Sequence, residues 1–541
     1  MAALDALQAW RALLGEQRVL NDPATLHAYA ASTSSCSTRP LAVIRPHSTA
    51  EVQQAVRIAA EHSLPLYPLS TGRNWGYGDA CAPTDGQVIM DLGGMNRIRE
   101  ADGELAYVVI EPGVTQRQLS DFLRDQQLPL WMDSTGAGPD TSLMGNILER
   151  GFGHSPYGNR FQNVAGMEVV LANGELLQTG FGHFPGAANQ RVFPYGIGPY
   201  IDGIFTQSNM GIVTAAGLWL MPKTAALSHF LCSVAEHAAI APVIDALRPL
   251  RLDGTLRSIL HIGNDLRVLS GGTVYPRERA GGALPLPDAL RREMRAAAGI
   301  GAWTVSGALY GNAAQIAAAR SALRKALAPT AAKVRFIDER KLDIADRIAG
   351  LLGGSAAGRR LKANVQLGRS LLDMNRGIPN GRFLAGAYWR RRAGLPPDFP
   401  EHANPARDNC GMLWVSPILP MRGADLLRLH ALAEPIFHEH GFDLFVTFSM
   451  INERALGGVL TVAYDKEDEA ETQRARHCYR ALFDAVMQAG YIPYRVGLQS
   501  MPDLDNGDDS YWRVVGRIKG ALDPQGLLAP GRYSARGGGR G

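Results

Sequence analysis

The backbone and side chains best placed to do chemistry lie in two turn-rich stretches. In STGRNWGYG, residues 70–78, three glycines (Gly72, Gly76, Gly78) fall within seven residues. Glycine tolerates positive φ and lets backbone approach a ligand closely. Successive loop N–H groups then form a concave anion site suited to phosphate or pyrophosphate. The second stretch runs from STGAGPDTS at 134–142 into GNILERGFGHSPYG at 145–158. Neither carries the Gly/Lys/Ser spacing of a P-loop or the G-x-G-x-x-G of a Rossmann turn, so neither standard nucleotide fold is expected. Spacing alone leaves a second reading open, a glycine-rich turn that holds no ligand.

Other reactive side chains point to structure more than to chemistry. His438 and His440 fall near the end of a predicted helix. Residues two apart do not share a helix face, so a solvated helix end is expected and no metal site. The triplet Arg390, Arg391, Arg392 reads as solvated surface or as a basic rim for an acidic partner or substrate. His154 reads equally as structural or ligand-facing. The five cysteines (Cys36, Cys81, Cys232, Cys410, Cys478) are scattered without metal-ligand spacing, as in a reducing compartment.

The positioning elements follow from periodicity. An apolar strand at 41–46 precedes Ser48 and Glu51, a capping box, and then Val52, Ala55, Val56 and Ala59 at helical spacing. The strand at 64–69 delivers the first glycine loop, so this β-α-β unit predicts parallel strands. Further strands are expected at 87–91, 106–111 and 129–133, with a helix at 115–126 and a hairpin around Asn173-Gly174. Residues 5–30 read as a mixed helical cover. After about Lys223 the character changes. Helical segments at 234–250, 313–327, 342–352, 426–441 and 468–489 alternate with β-like runs at 413–420, 444–450 and 458–464.

At 541 residues the chain exceeds one ordinary core, and 46% hydrophobic with 20% charged residues is a globular balance. A net charge of +4 without a basic tract gives no reason to expect nucleic acid. No secretion signal or bilayer-length apolar run is read, so a cytoplasmic protein is expected, with no membrane partner. Residues 535–541 read as a disordered tail.

The paired loops carry a resemblance. With GMEVVLANGE at 166–175, FPYGIGPYIDG at 193–203, SNMGIVT at 208–214, GYIPYR at 490–495 and LAPGR at 528–532, the chain resembles the flavoprotein family of vanillyl-alcohol oxidase, p-cresol methylhydroxylase (PCMH) and eugenol oxidase. The resemblance implies an α+β fold: a two-subdomain PCMH-type FAD-binding domain with an inserted α+β cap. Boundaries are expected at 1–223 for the FAD domain, 224–499 for the cap and 500–541 for a return to the first domain. It assigns Ser70, Thr71, Gly72, Arg73 and Asn74 to the FAD phosphates. Gly145, Asn146, Glu149, Gly151, Gly153 and Tyr157 would run along the cofactor, Asn209, Gly211, Ile212 and Val213 would lie near its adenine end, and Arg532 would also contact it.

For catalysis the resemblance points to Tyr77, Tyr494 and Arg495, which would bind a phenol as phenolate. It implies hydride loss from the benzylic carbon of a para-substituted phenol, such as a 4-alkylphenol or 4-hydroxybenzylic alcohol, to a quinone methide, with oxygen or a redox protein as electron acceptor. A homodimer or larger homo-oligomer is implied as well. The alternatives are a non-phenolic alcohol or biosynthetic intermediate as substrate, or a flavin-binding protein without turnover. Two departures stand out. Gly457 and Gly458 occupy the position of the histidine that anchors flavin in vanillyl-alcohol oxidase, so FAD is expected to bind noncovalently. Where relatives keep Asp-x-Pro-Asp, this chain has Asp133 but Gly136 in place of the second acid. Asp133 and Asp140 are then the candidate acids.

Overall fold

The computed structural model describes residues 2–34, 38–504 and 509–533. Cys36 and the tail at 535–541 lie outside the described residues. Near the N-terminus, Ala42–Ile44, Val88–Asp91 and Leu66–Leu69 lie side by side in parallel, and Val19–Leu20 joins one edge antiparallel. The strand from 88 separates the two strands of the β-α-β unit, and all three run the same way. The connecting helix Thr49–Glu61 forms half of the expected capping box: the Ser48 side chain accepts from Glu51 N–H, while the Glu51 carboxylate accepts from His47 N–H and Arg18 instead of Ser48 N–H. Val52, Ala55, Val56 and Ala59 are its buried stripe. The N-terminal cover is two helices, Ala2–Leu14 and Pro23–Ala30, interrupted by Val19–Leu20.

A second, antiparallel sheet has the order Ile98–Asp102, Tyr107–Ile110, Ile212–Trp219, Val164–Val170, Leu176–Gln178. The last two form the hairpin expected at Asn173-Gly174. From Ala226 onward the strands build one antiparallel sheet, ordered Lys333–Ile337, Ala226–Val234, Trp303–Gly311, His261–Asn264, Phe445–Met450, Ala455–Asp465, Cys410–Val415. Ile418–Pro420 also pairs with Ala455–Asp465. The expected helix at 234–250 is displaced: its first residue closes the strand Ala226–Val234, and the helix is Ile240–Leu252. A twenty-residue helix, Ala356–Asn375, stands where periodicity predicts none. Near the C-terminus, Leu66 N–H donates to Leu527 and Ala529 N–H donates to Leu66, so residues 527–529 lie against the strand that delivers the glycine loop.

Side chains alternate across a strand, and the large sheet uses both faces. Phe230, Val305, Ile262, Phe448, Leu460 and Leu413 bury one face in the same core as Ile244, Leu323, Phe437 and Leu482 from the helices behind it. Their neighbours Ser233, Thr304, His261, Thr447, Thr461 and Trp414 line a cavity on the other face.

The arginine triplet is not uniformly surface. Arg390 is buried against Glu471, with Nε and Nη2 each 2.9 Å from a carboxylate oxygen. Only Arg392 is well exposed, paired with Asp465 and Asp468. A fully buried pair leaves a costly charge when one partner goes. Glu471→Ala is therefore expected to lower unfolding free energy by about 3 kcal/mol, read from the urea midpoint; a change within error would show that the pair carries no such weight.

Candidate active site

One cavity of about 1760 Å³ runs between the glycine loop, the second loop and the inner face of the large sheet. It is well above the roughly 300–1,000 Å³ of a site for one drug-sized ligand. Its walls include Ser70, Thr71, Gly72, Arg73 and Asn74; Gly145, Asn146, Glu149 and Gly151; Asn209, Gly211, Ile212 and Val213; and Arg532, Tyr77, Tyr494 and Arg495. The wall suits a long cofactor with a close-lying backbone. Gly72 has φ of +64°, and a Cβ at Gly145 would come 2.6 Å from Ser70 Oγ. Asn146 Oδ1 is buried without a hydrogen-bond partner among the described residues. These are features that a ligand along this wall would satisfy.

Tyr77, Tyr494 and Arg495 come together although more than four hundred residues separate the first from the other two. The Arg495 guanidinium sits 4.2 Å from the Tyr77 ring centre, and Arg495 Nη2 donates to Asn74 Oδ1 in the same loop. Tyr77 Oη lies 2.5 Å from Ser416 Oγ. Tyr494 N–H donates to the Ser416 carbonyl, and its own carbonyl accepts from Gln207. Leu498 N–H donates to Tyr77 O. Burial pushes the Tyr77 hydroxyl well above its ordinary pKa against the pull of Arg495, and burial also raises Tyr494. Both phenols therefore stay protonated and can donate.

Glu149 organises the charges around them. Arg495 Nε is 3.0 Å from Glu149 Oε2, Arg532 pairs with Oε1, and Tyr533 Oη donates at 3.1 Å. Two guanidinium charges against one carboxylate leave one net positive charge beside two phenol donors. An anionic oxygen there would be stabilised by charge-assisted hydrogen bonds.

The two candidate acids do not join this group. Asp133 Oδ2 accepts from Arg160 Nε at 2.9 Å, and Oδ1 accepts from His154 and Ser155 N–H. Both partners of the ion pair are nearly inaccessible, and Asp133 is absent from the cavity wall. Its oxygens are committed to the fold, which is not the arrangement of a free base. Asp140 sits between Arg73 and Arg117 at 3.1 and 2.9 Å. Burial acts to raise its pKa, but the two arginines outweigh it and hold the carboxyl below its usual range, where a base is weak. Gly153 and Tyr157 also lie off the wall. A Cβ at Gly153 would fall 1.8 Å from Asp133 Oδ2, so this glycine serves the buried ion pair. Tyr157 packs against Met221, Ala308 and Tyr310.

Gly136, the missing acid, would set a Cβ 3.2 Å from Phe383 Cβ, so that space is occupied by an apolar side chain. Gly457 and Gly458 lie in the strand Ala455–Asp465, and a Cβ at Gly457 would meet Ile451 at 2.3 Å. Neither offers a side chain for a covalent anchor. His438 and His440 close the helix Gly423–Glu439, and no metal-binding cluster exists among the described residues. Cys81, Cys232, Cys410 and Cys478 are buried free thiols. No helix of the described residues is long and apolar enough to cross a membrane.

Several wall residues have no motif in the sequence: Asp79, His261, Arg267, Trp414 and Thr447. Strand alternation is the signal for His261, Trp414 and Thr447; Asp79 follows the first glycine loop, and Arg267 lies in the short helix Asp265–Leu269. Asp79 is buried and accepts from Thr33 N–H and Oγ1 at 2.5 and 2.7 Å. Burial outweighs those bonds and raises its pKa to about 7.

Two families match: "FAD binding domain" over residues 40–180 and "FAD linked oxidases, C-terminal domain" over 387–533. The chain is 41% identical to 1'-carboxy-chondrochloren decarboxylase of Chondromyces crocatus, over 98% of this chain and 97% of that one. It is 32% identical to the 4-cresol dehydrogenase [hydroxylating] flavoprotein subunit of Pseudomonas putida, over 97% and 94%. Its fold matches the crystal structure of p-cresol methylhydroxylase with substrate bound at a TM-score of 0.87 and 30% identity, covering 99% of this chain and 97% of that one.

Four histidines, His154 and His261 on the cavity wall and His229 and His430 away from it, give the fold a pH signature. Burial lowers His154 to about 4 and His229 and His430 to about 3, and takes His261 well down. The native rings stay neutral below pH 6.5, while unfolded rings take up protons there. Their contribution to stability is thus full above pH 6.5 and is lost as pH falls toward 4, by about 1.4 kcal/mol per pH unit for each ring. Asp79 opposes them, since a raised carboxyl loses stability as pH rises from 3.8 to 7. Four rings outweigh one carboxyl, so the urea midpoint is expected to fall between pH 6.5 and 5. A flat or rising midpoint on acidification would contradict the assignment.

Proposed function

The chain belongs to the FAD-linked flavoprotein family of p-cresol methylhydroxylase and vanillyl-alcohol oxidase, and from that premise we propose that it removes a hydride from the benzylic carbon of a para-substituted phenol. The observation that supports this reading is the convergence of Tyr77, Tyr494 and Arg495 on one wall of the cavity. A free phenol has a pKa of about 10, like that of tyrosine. Two phenol donors beside the net positive charge of Arg495, Glu149 and Arg532 lower that pKa by favouring the phenolate. The phenolate donates electron density to its para carbon, which eases departure of a benzylic hydride and leaves a quinone methide. FAD, when bound, supplies the hydride acceptor. Ser70, Thr71, Gly72, Arg73, Asn74, Gly145, Asn146, Glu149 and Gly151 are the residues proposed to hold it, with Asn209, Gly211, Ile212 and Val213 toward its adenine end. With glycine at 457 and 458, its attachment is proposed to be noncovalent.

A second reading concerns the fate of the quinone methide. The relative from Chondromyces crocatus is named a decarboxylase. Loss of CO2 would consume the quinone methide without a base: the C–CO2 bond breaks, its electron pair forms a C=C bond in the para substituent, and the ring returns to phenolate. This route needs no free base on the wall, where among the described residues the acids are Glu149, held by two arginines, and Asp79, which accepts from Thr33 through Oδ2 and leaves Oδ1 without a partner.

Arg495→Ala is expected to lower kcat/KM for phenolic substrates by about 10²–10³-fold, with flavin retained. Unchanged turnover would exclude phenolate stabilisation by Arg495. Anaerobic bleaching of the flavin by 4-alkylphenols or 4-hydroxybenzyl alcohols tests the substrate class directly, and no reduction across such a panel would exclude it. On acid precipitation the flavin is expected in the supernatant; flavin in the pellet would show a covalent link.

A further inference from the structure

Arg267 has no counter-charge among the described residues. It follows the central strand His261–Asn264 and lines the cavity. Its guanidinium donates a long hydrogen bond to the Phe383 carbonyl, at 3.3 Å, and it forms no ion pair among the described residues. Burial lowers its pKa, with no carboxylate to offset that effect. Arg73 has Asp140, Arg279 has Glu293, and Arg495 and Arg532 share Glu149; Arg335, Arg360 and Arg382 on the same wall also lack an ion pair among the described residues, but Arg335 and Arg360 are exposed to water and Arg382 is partly so. A desolvated guanidinium without an anion is costly, and an anion brought by a ligand would remove that cost.

The surroundings keep that charge available. Asn264 accepts from Arg267 N–H and donates to the Leu444 carbonyl, so the residue is anchored to the centre of the sheet. The His261 ring bonds Ser449 Oγ through Nδ1 and packs 4.3 Å from His154. Both histidines are neutral, His261 partly because Arg267 is near. Asp133, the nearby acid, is neutralised by Arg160. Where the cavity wall reaches solvent it carries Lys333, Arg335 and Arg360, all exposed and without ion-pair partners among the described residues. A cationic opening raises the local concentration of an anionic substrate.

We propose that Arg267 is a specificity residue that binds a carboxylate on the para substituent of the substrate, so that the substrate is a 4-hydroxyphenyl carboxylic acid. The phenol half of this statement rests on the function proposed above; the carboxylate half does not. Trp414, whose ring is 5.3 Å from that of Tyr77, marks the phenol end. Its strand lies three strands from His261–Asn264, about 14 Å at the usual strand spacing. Side chains reach inward from both ends, which leaves room for an aromatic ring and a short aliphatic tail. The guanidinium fork matches a carboxylate in two parallel hydrogen bonds, which lysine cannot reproduce.

The test is equilibrium binding to oxidised holoenzyme, followed by the flavin absorption spectrum. Its probes are 3-(4-hydroxyphenyl)propanoate, its methyl ester, 4-propylphenol, and the non-phenolic 3-(4-methoxyphenyl)propanoate. Wild type is expected to bind the acid at least about tenfold more tightly than its ester. Arg267→Gln is expected to abolish that preference and to leave 4-propylphenol binding unchanged, with Arg267→Lys intermediate. If wild type binds acid and ester equally, the proposal is overturned, and this arm does not depend on a variant folding. Loss of affinity for acid and 4-propylphenol alike in Arg267→Gln would also overturn it. If the phenol reading alone fails, the methoxy acid still binds in an Arg267-dependent manner while none of the phenols reduces the flavin.

Discussion

The carboxylate of Glu149, held between Arg495 and Arg532, is the interaction on which the rest of the site depends. Each member comes from a different part of the chain: the second glycine-rich stretch, the segment after the helix Glu469–Gln488, and the C-terminal return. None of the three charges is stable at low exposure without the others, because a buried unpaired charge costs more than the pair returns. Closing the cluster therefore also closes the cavity, and Arg495 reaches Asn74 to bind the first glycine loop into the same unit. The net positive charge left over makes the pocket beside Tyr77 a place where a phenol loses its proton more easily.

The large sheet sets what the cavity can contain. Alternation gives it one face for the core and one for the ligand. Phe448 and Leu460 bury apolar area behind it, while Thr447 and Ser449 face the cavity. Small polar side chains on that wall leave volume for an aromatic substrate without adding charge. Positive charge stands at both ends of this wall, Arg495 beside Tyr77 and, toward the other edge of the sheet, Arg267, Lys333 and Arg335. A phenol with an acidic tail would match both ends, and a neutral alkylphenol would match one.

What is legible in the sequence divides along a physical line. The two glycine-rich loops are legible because backbone geometry restricts residue type: Gly72 has a positive φ, and a side chain at Gly145 would collide with Ser70. Helix Thr49–Glu61 is legible from its cap and its stripe. His261 and Trp414 are not, because they are alternate positions in strands whose partners lie far away in sequence, and Arg267 is not, because its helix Asp265–Leu269 is too short to show a periodic stripe. Helix Ala356–Asn375 escapes a reading by periodicity although Ser355 caps it and Val365, Gly368 and Leu372 share a buried face. Its two glycines and weak apolar pattern hide that stripe. Gly153 has the look of a cofactor glycine, yet its reason is local: it leaves space for the Asp133 carboxylate.

That last point bears on the chemistry. A carboxylate used as a base must have a free lone pair near the reacting atom and a pKa near the working pH. Asp133 fails on geometry, because Arg160 and two backbone N–H groups hold its oxygens away from the wall. Asp140 is stabilised as an anion by two arginines. Phe383 packs over Gly136, so the loop has no acid facing the cavity there. A site that strengthens the phenolate while Asp133, Asp140 and position 136 offer no free base is suited to a reaction whose electron push comes from the ring. Such a reaction resolves either by adding a nucleophile from outside or by expelling a group that leaves without its bonding electrons. CO2 is such a group, and a substrate that carries it must bring a carboxylate past Lys333, Arg335 and Arg360 to reach Arg267.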